Sequence, residues 1–141
     1  LGQSRFEKFT KYGLPFSLIY FEIDNIKSIR DVLGDREADI VLKNFSAYIK
    51  STLKKHDIGA YLGQGNFAVL IEHDTANADE QYLFNLQCFM DDINKKSTKA
   101  YHINYGYGMT NYDPADHRSL LMMLESASRT TYAEKRRKEP Q

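Results

Sequence analysis

Two short stretches carry the side chains best suited to chemistry. Glu22 and Asp24 close the apolar run PFSLIYFEID (15–24). Two apart on an extended backbone, they project to the same face, where two carboxylates are a candidate place for a cation. Further along, YLGQGNF (61–67) brackets Gln64 with two glycines and sets an amide, Asn66, just behind them. Such a turn bends tightly and also lets a phosphate approach the backbone closely. A structural reading stands beside each. Acids favour the start of a helix, and a glycine-rich turn between apolar runs is a hairpin signal.

These residues need elements to hold them. SRFEKFTKY (4–12) reads as a short entry helix, and PFSLIYFEID as a central strand. Residues 25–55 read as a helix in two parts, broken near Gly34-Asp35; in the second part Ile40, Val41, Phe45, Tyr48, Ile49 and Leu53 recur at helical spacing. IGAYL and FAVLIEH flank GQGN as a hairpin. Residues 76–96 form a helix expected to turn Tyr82, Phe84, Leu86, Phe89, Met90 and Ile93 inward, with Cys88 on the apolar side. Residues 100–112 read as an aromatic strand, and 116–138 as a last helix with Asp116 or His117 near its cap and a basic end, KRRK, that suits the helix dipole.

The order β-α-β-β-α-β predicts an α+β, ferredoxin-like or palm-like core, an antiparallel sheet flanked by helices. In that topology the first strand lies beside the hairpin, so Glu22 and Asp24 fall near the tip, Gly63 to Asn66. An acid ending a buried strand is costly unless exposed, paired or bound to a cation.

Composition sets the bounds. The 141 residues fit one domain, and 42% apolar with 27% charged residues describes a globular chain. Nineteen basic against nineteen acidic residues leave no net charge, which argues against a DNA-binding module. One cysteine excludes an internal disulfide, and the four histidines, His56, His73, His102 and His117, are too scattered for a metal site. No apolar run is long enough to span a membrane, which leads to the expectation of a cytoplasmic segment without membrane contact. A chain opening on Leu1 reads as one domain, 1–141, cut from a longer protein.

The stretch FEIDNIKSIRDVLGDREADIVL (21–42) resembles the segment after the first strand of GGDEF domains, the bacterial diguanylate cyclase family, whose pattern is DIDxFKxINDxxGHxxGDxxL. Ile23, Asp24, Lys27, Ile29, Asp31, Gly34, Asp39 and Leu42 fall in register. Gly63 and Phe67 match the first and last letters of the signature turn, Tyr132 and Lys135 the YxAK of the last helix, and SRF (4–6) the entry motif. The resemblance spans essentially the whole chain. It implies cyclic di-GMP signalling, in which two domains face each other, each holds one GTP, and each 3′-hydroxyl attacks the partner's α-phosphate with magnesium neutralising charge.

Several positions depart from that pattern. Glu22 stands where Asp is usual. Gln64 replaces a glycine, and Gly65 and Asn66 replace the two signature acids. Of the residues the resemblance implies for nucleotide binding, Lys27, Asp39 and Lys135 persist, while Arg30 replaces an Asn that reads guanine. KKHD, Lys54 to Asp57, lies where the family carries RxxD for cyclic di-GMP; a positive helix end is the structural alternative. Loss of transition-state groups of this kind typically costs on the order of 10²- to 10³-fold each. The expectation is therefore a degenerate domain that is not an enzyme. It would act by dimerisation, by binding GTP or cyclic di-GMP, or by relay to an attached sensory or EAL-type domain, with no cofactor unless magnesium accompanies a bound nucleotide. The alternative is a residual cyclase or GTP hydrolase using Glu22 and Asp24 with magnesium.

Overall fold

The computed structural model describes residues 1–138, with side chains through Thr131. In chain order the elements are α1 (Gly2–Lys11), β1 (Phe16–Ile23), α2 (Ile26–Leu33), α3 (Asp35–Thr52), β2 (Ile58–Gly63), β3 (Asn66–Glu72), α4 (Ala78–Lys96), β4 (Tyr105–Asn111) and α5 (Leu120–Lys138). The four strands form one sheet in the order β2-β3-β1-β4, every neighbouring pair antiparallel. This is the expected β-α-β-β-α-β core.

Alternation along β1 explains why its sequence is apolar nearly throughout. Ile19, Phe21 and Ile23 face one side and join Val41, Phe45 and Ile49 of α3 with Tyr82, Leu86 and Met90 of α4. Phe16 and Leu18 face the other side, against Phe6 and Phe9 of α1 and Met123 and Ala127 of α5. A central strand covered on both faces has no polar face to show. The helices of the core unit thus take one side of the sheet, and the terminal helices take the other. Helix α5 lies so close to β4 that a side chain on Gly108 would collide with the Ala127 carbonyl and with Thr131.

Some boundaries differ from the sequence expectation. Residues 100–104 are not strand. Asn94 holds that segment, its Oδ1 accepting from the Ile103 N–H at 2.9 Å and its Nδ2 donating to the Ile103 carbonyl at 3.0 Å. The last helix starts at Leu120, where Ser119 Oγ accepts the Met122 N–H at 3.2 Å in the manner of a cap. Asp116 and His117 sit before it, with His117 Nδ1 accepting the Asp113 N–H at 2.9 Å. On α4 the inward stripe is Tyr82, Leu86 and Met90, four apart, so Phe84 and Cys88 turn outward and Phe89 stays partly exposed at the edge, its ring against Tyr48 of α3. The assignment of those three to the core is corrected.

Candidate functional site

The hairpin tip is a two-residue turn, Gln64-Gly65, closed by the pair Gly63 and Asn66. Gln64 and Gly65 have φ of 55° and 81°, the positive pair that a type I′ connection requires because its twist matches the strands it joins. Gly65 is fixed further by packing: a Cβ there would stand 3.0 Å from Ile26 Cγ2 at the start of α2. Its carbonyl accepts the Ile23 N–H at 3.0 Å, and its own N–H donates to the Tyr61 hydroxyl at 3.2 Å.

That contact network brings the turn to the end of β1. In the ladder Glu22 stands between Asn66 of β3 and Gly106 of β4, about 5 Å from each by ordinary strand spacing. Glu22 is half-buried, and Asp24, just past the strand, is exposed. The Asp24 N–H donates to the Asn104 carbonyl at 2.8 Å, and its Oδ1 lies 3.5 Å from the position a Cβ on Gly106 would take. Both residues already have interactions within the protein. Tyr20, on the same face as Glu22, has its hydroxyl pKa raised by burial and by the Glu22 charge, against a hydrogen bond with Ser128 that lowers it. Beside Asn66 a groove of about 430 Å³ opens toward α5, lined by Tyr20, Leu62, Asn66, Glu125, Ser128 and Arg129 among others.

Across the tip, Lys27 is exposed on α2. Arg30 Nη1 reaches Asp35 Oδ1 at 3.0 Å and Asp39 Oδ1 at 3.9 Å, over the single residue Gly34 that joins α2 to α3. These ion pairs are partly exposed, so each is worth about 1 kcal/mol or less. The tighter partner is Asp35. Asp39 keeps most of its acceptor capacity.

Lys54 and Asp57 lie elsewhere, at the opposite end of β2. Asp57 is buried; its Oδ2 accepts the Lys54 N–H at 3.0 Å and its Oδ1 the Glu72 N–H at 3.0 Å. The Lys54 ammonium pairs with Asp74 at 3.3 Å. The carboxylate thus staples the end of α3 to the end of β3. Lys135 and the basic stretch 135–138 lie outside the residues whose side chains are described.

Two polar clusters escaped the sequence reading, because nothing in linear spacing marks them. Ser17 Oγ, fully buried, lies 2.7 Å from His73 Nε2, 2.8 Å from Asp79 Oδ2 and 2.5 Å from Asn111 Oδ1. Asp79 approaches the same ring nitrogen, at 3.4 Å, so the histidine is not held from its far side as in a Ser-His-Asp triad. The group ties the start of α4 to the sheet. In the second cluster Glu37 accepts from the Tyr101 hydroxyl at 2.5 Å and pairs with the Lys99 ammonium at 2.8 Å. Tyr61, two residues before the first turn glycine, is likewise not among the residues the sequence singles out; a hydroxyl so near a glycine turn is the signal that could find it.

Among the described residues no three His, Cys, Asp or Glu side chains stand together as a metal cage. Magnesium seldom uses one: it takes one or two carboxylates and fills its octahedron with phosphate oxygens and water. Glu22 and Asp24 fit that smaller donor set.

The family model described as "Diguanylate cyclase, GGDEF domain" matches residues 3–141. The chain is 26% identical over 123 residues to diguanylate cyclase A of Treponema denticola, covering 84% of this chain and 32% of that protein. It is 43% identical over 56 residues to the uncharacterized protein YhcK of Bacillus subtilis, 40% of this chain and 16% of that protein. The chain therefore spans less than a third of the length of either. In fold it is similar to the GGDEF domain of DgcB from Caulobacter crescentus, solved in complex with c-di-GMP, with a TM-score of 0.82 at 19% identity over 97% of this chain and 81% of that one.

The family match corrects the expectation that the chain is not an enzyme, since the model spanning nearly its whole length is that of an enzyme family. The neutral turn removes ligands, but the strand-end carboxylates remain, and a metal that borrows its other ligands from substrate needs no more than two. No described helix is long and apolar enough to cross a membrane.

Proposed function

Because the chain belongs to the diguanylate cyclase GGDEF domain family, a family of cyclic di-GMP signalling, we propose that it binds GTP at the junction of β1 with the hairpin tip. The observation that carries this reading is the ladder register that sets Glu22 beside Asn66, which puts a carboxylate next to a turn whose backbone a phosphate can approach. Glu22 and Asp24 are the residues to hold magnesium, which when bound neutralises phosphate charge and orients the oxygens. The groove beside Asn66 supplies room, and its lining carries one cation, Arg129, and one carboxylate, Glu125. Asp39, only loosely engaged by Arg30 at 3.9 Å, has acceptor capacity for the N1–H and N2–H donors of guanine. Asp57 spends both oxygens on backbone N–H groups, so the nucleotide is assigned to the strand end rather than to Lys54 and Asp57. A second copy of the domain and an attached sensory or EAL-type domain are the partners this role calls for.

Calorimetry with GTP, ATP and cyclic di-GMP, with and without magnesium, tests the reading, alongside chromatography for cyclic di-GMP and for GDP. The expected result is GTP binding that strengthens with magnesium and exceeds ATP binding. Glu22→Gln should remove most of the magnesium dependence. No GTP binding, or GTP and ATP bound alike, would reject the assignment; the chromatogram reports which chemistry follows binding.

A further inference from the structure

The apex of the turn does not present its backbone donor directly. The Gly65 N–H is taken by the Tyr61 hydroxyl at 3.2 Å. A hydroxyl that accepts one bond still has a proton to donate, and Tyr61 is 48% exposed. Its stem is rigid. The ring tilts against Phe67, its cross-strand partner, with centroids 4.9 Å apart, and Phe67 rests in turn on Phe45. The turn is rigid as well, since the Gly65 carbonyl is bonded to Ile23 and the space for a side chain is closed by Ile26. The tip residues Gln64, Gly65 and Asn66 carry no charge, so the turn itself does not repel an anion.

We propose that Tyr61 is a phosphate-contacting residue of the nucleotide site, its O–H donating to a phosphate oxygen while its oxygen accepts the Gly65 N–H. This rests on the GTP reading above and names a ligand group within it. The chain N–H to O–H to phosphate oxygen has physical advantages. Successive hydrogen bonds polarise one another, and a charged acceptor shortens and strengthens the last of them. The phenol thus carries the donor capacity of the turn outward, past the point the backbone alone reaches.

The test measures GTP and inorganic pyrophosphate binding, both with magnesium, to the wild-type chain and to Tyr61→Phe, which keeps the ring on Phe67. Tyr61→Phe should weaken both probes by about ten- to a hundredfold, the scale of one hydrogen bond to a charged group, and by the same factor, because the base takes no part. The Gly65 amide resonance should move on adding pyrophosphate to the wild type and move less in the variant. Wild-type binding with an unchanged or tighter Tyr61→Phe overturns the role of Tyr61 and leaves the GTP reading standing. A wild type that binds neither probe overturns both. A circular-dichroism melt confirms that the variant is folded; if it is not, a wild-type Gly65 amide unmoved by pyrophosphate overturns the proposal by itself.

Discussion

Asp57 has two carboxylate oxygens and two backbone N–H groups to hold, Lys54 and Glu72. Replacing it by Ala leaves both donors without that partner in a buried place, and each orphaned donor costs about 1–3 kcal/mol. Asp57→Ala should lower the denaturant midpoint accordingly, whereas Lys54→Ala, which loses only the exposed pair with Asp74, should barely move it. Glu37 makes a complementary case in solution pH. The Lys99 and Tyr101 hydrogen bonds hold its carboxyl below the usual 4.5. A depressed folded pKa contributes stability that is fully present above 4.5 and is lost as pH falls through the lowered value. On the other side, burial and then Glu37 push the Tyr101 hydroxyl up to about 12. A raised phenol pKa means stability fully present below the unfolded value of 10.0 and eroded as pH climbs from there toward 12. Melts across pH should show Glu37→Gln flattening the acid limb and Tyr101→Phe flattening the alkaline one.

At the scale of the element, the hairpin shows how a turn constrains what chemistry it can carry. Gly65 sits where the family pattern has an acid, at φ 81° with its Cβ direction filled by Ile26 at 3.0 Å. A side chain at positive φ costs about 1–2 kcal/mol, and the contact with Ile26 adds to that. Gly65→Asp should therefore destabilise the chain by about 1–3 kcal/mol, and Gly65→Asp with Ile26→Ala should relieve the contact part only. Chemical denaturation of the two variants reads this directly; a Gly65→Asp chain as stable as the wild type would show that the turn re-forms around the acid. The strand that follows is set as firmly. Phe67 packs on Phe45, and Phe45 on Phe21 and Tyr105, so β3 of the hairpin, β1 and β4 share one aromatic cluster, with the site at their common end.

For the whole molecule, one sheet covered on both faces brings the candidate site together at one end and the stapling contacts of Asp57, Ser17 and His73 at the other. The sequence by itself determined the elements and their order, because hydrophobic period, glycine placement and the apolar run of β1 are local properties of the chain. It also determined the family pattern and the proximity of Glu22 to the turn, since a β-α-β-β-α-β order leaves few ways to place the first strand. It did not determine which helical residues leave the core: Phe84, Cys88 and Phe89 read as apolar, and only the packing of α4 through Tyr82, Leu86 and Met90 sends the first two to solvent and leaves Phe89 at the edge against Tyr48. Nor did it determine the partners of polar side chains. Arg30 lies nearer Asp35 than Asp39, Asp57 serves the backbone, and Tyr61 takes the Gly65 N–H. Each of these is a contact of a few ångströms between groups whose positions are fixed by the fold, and spacing along the chain carries no record of such distances.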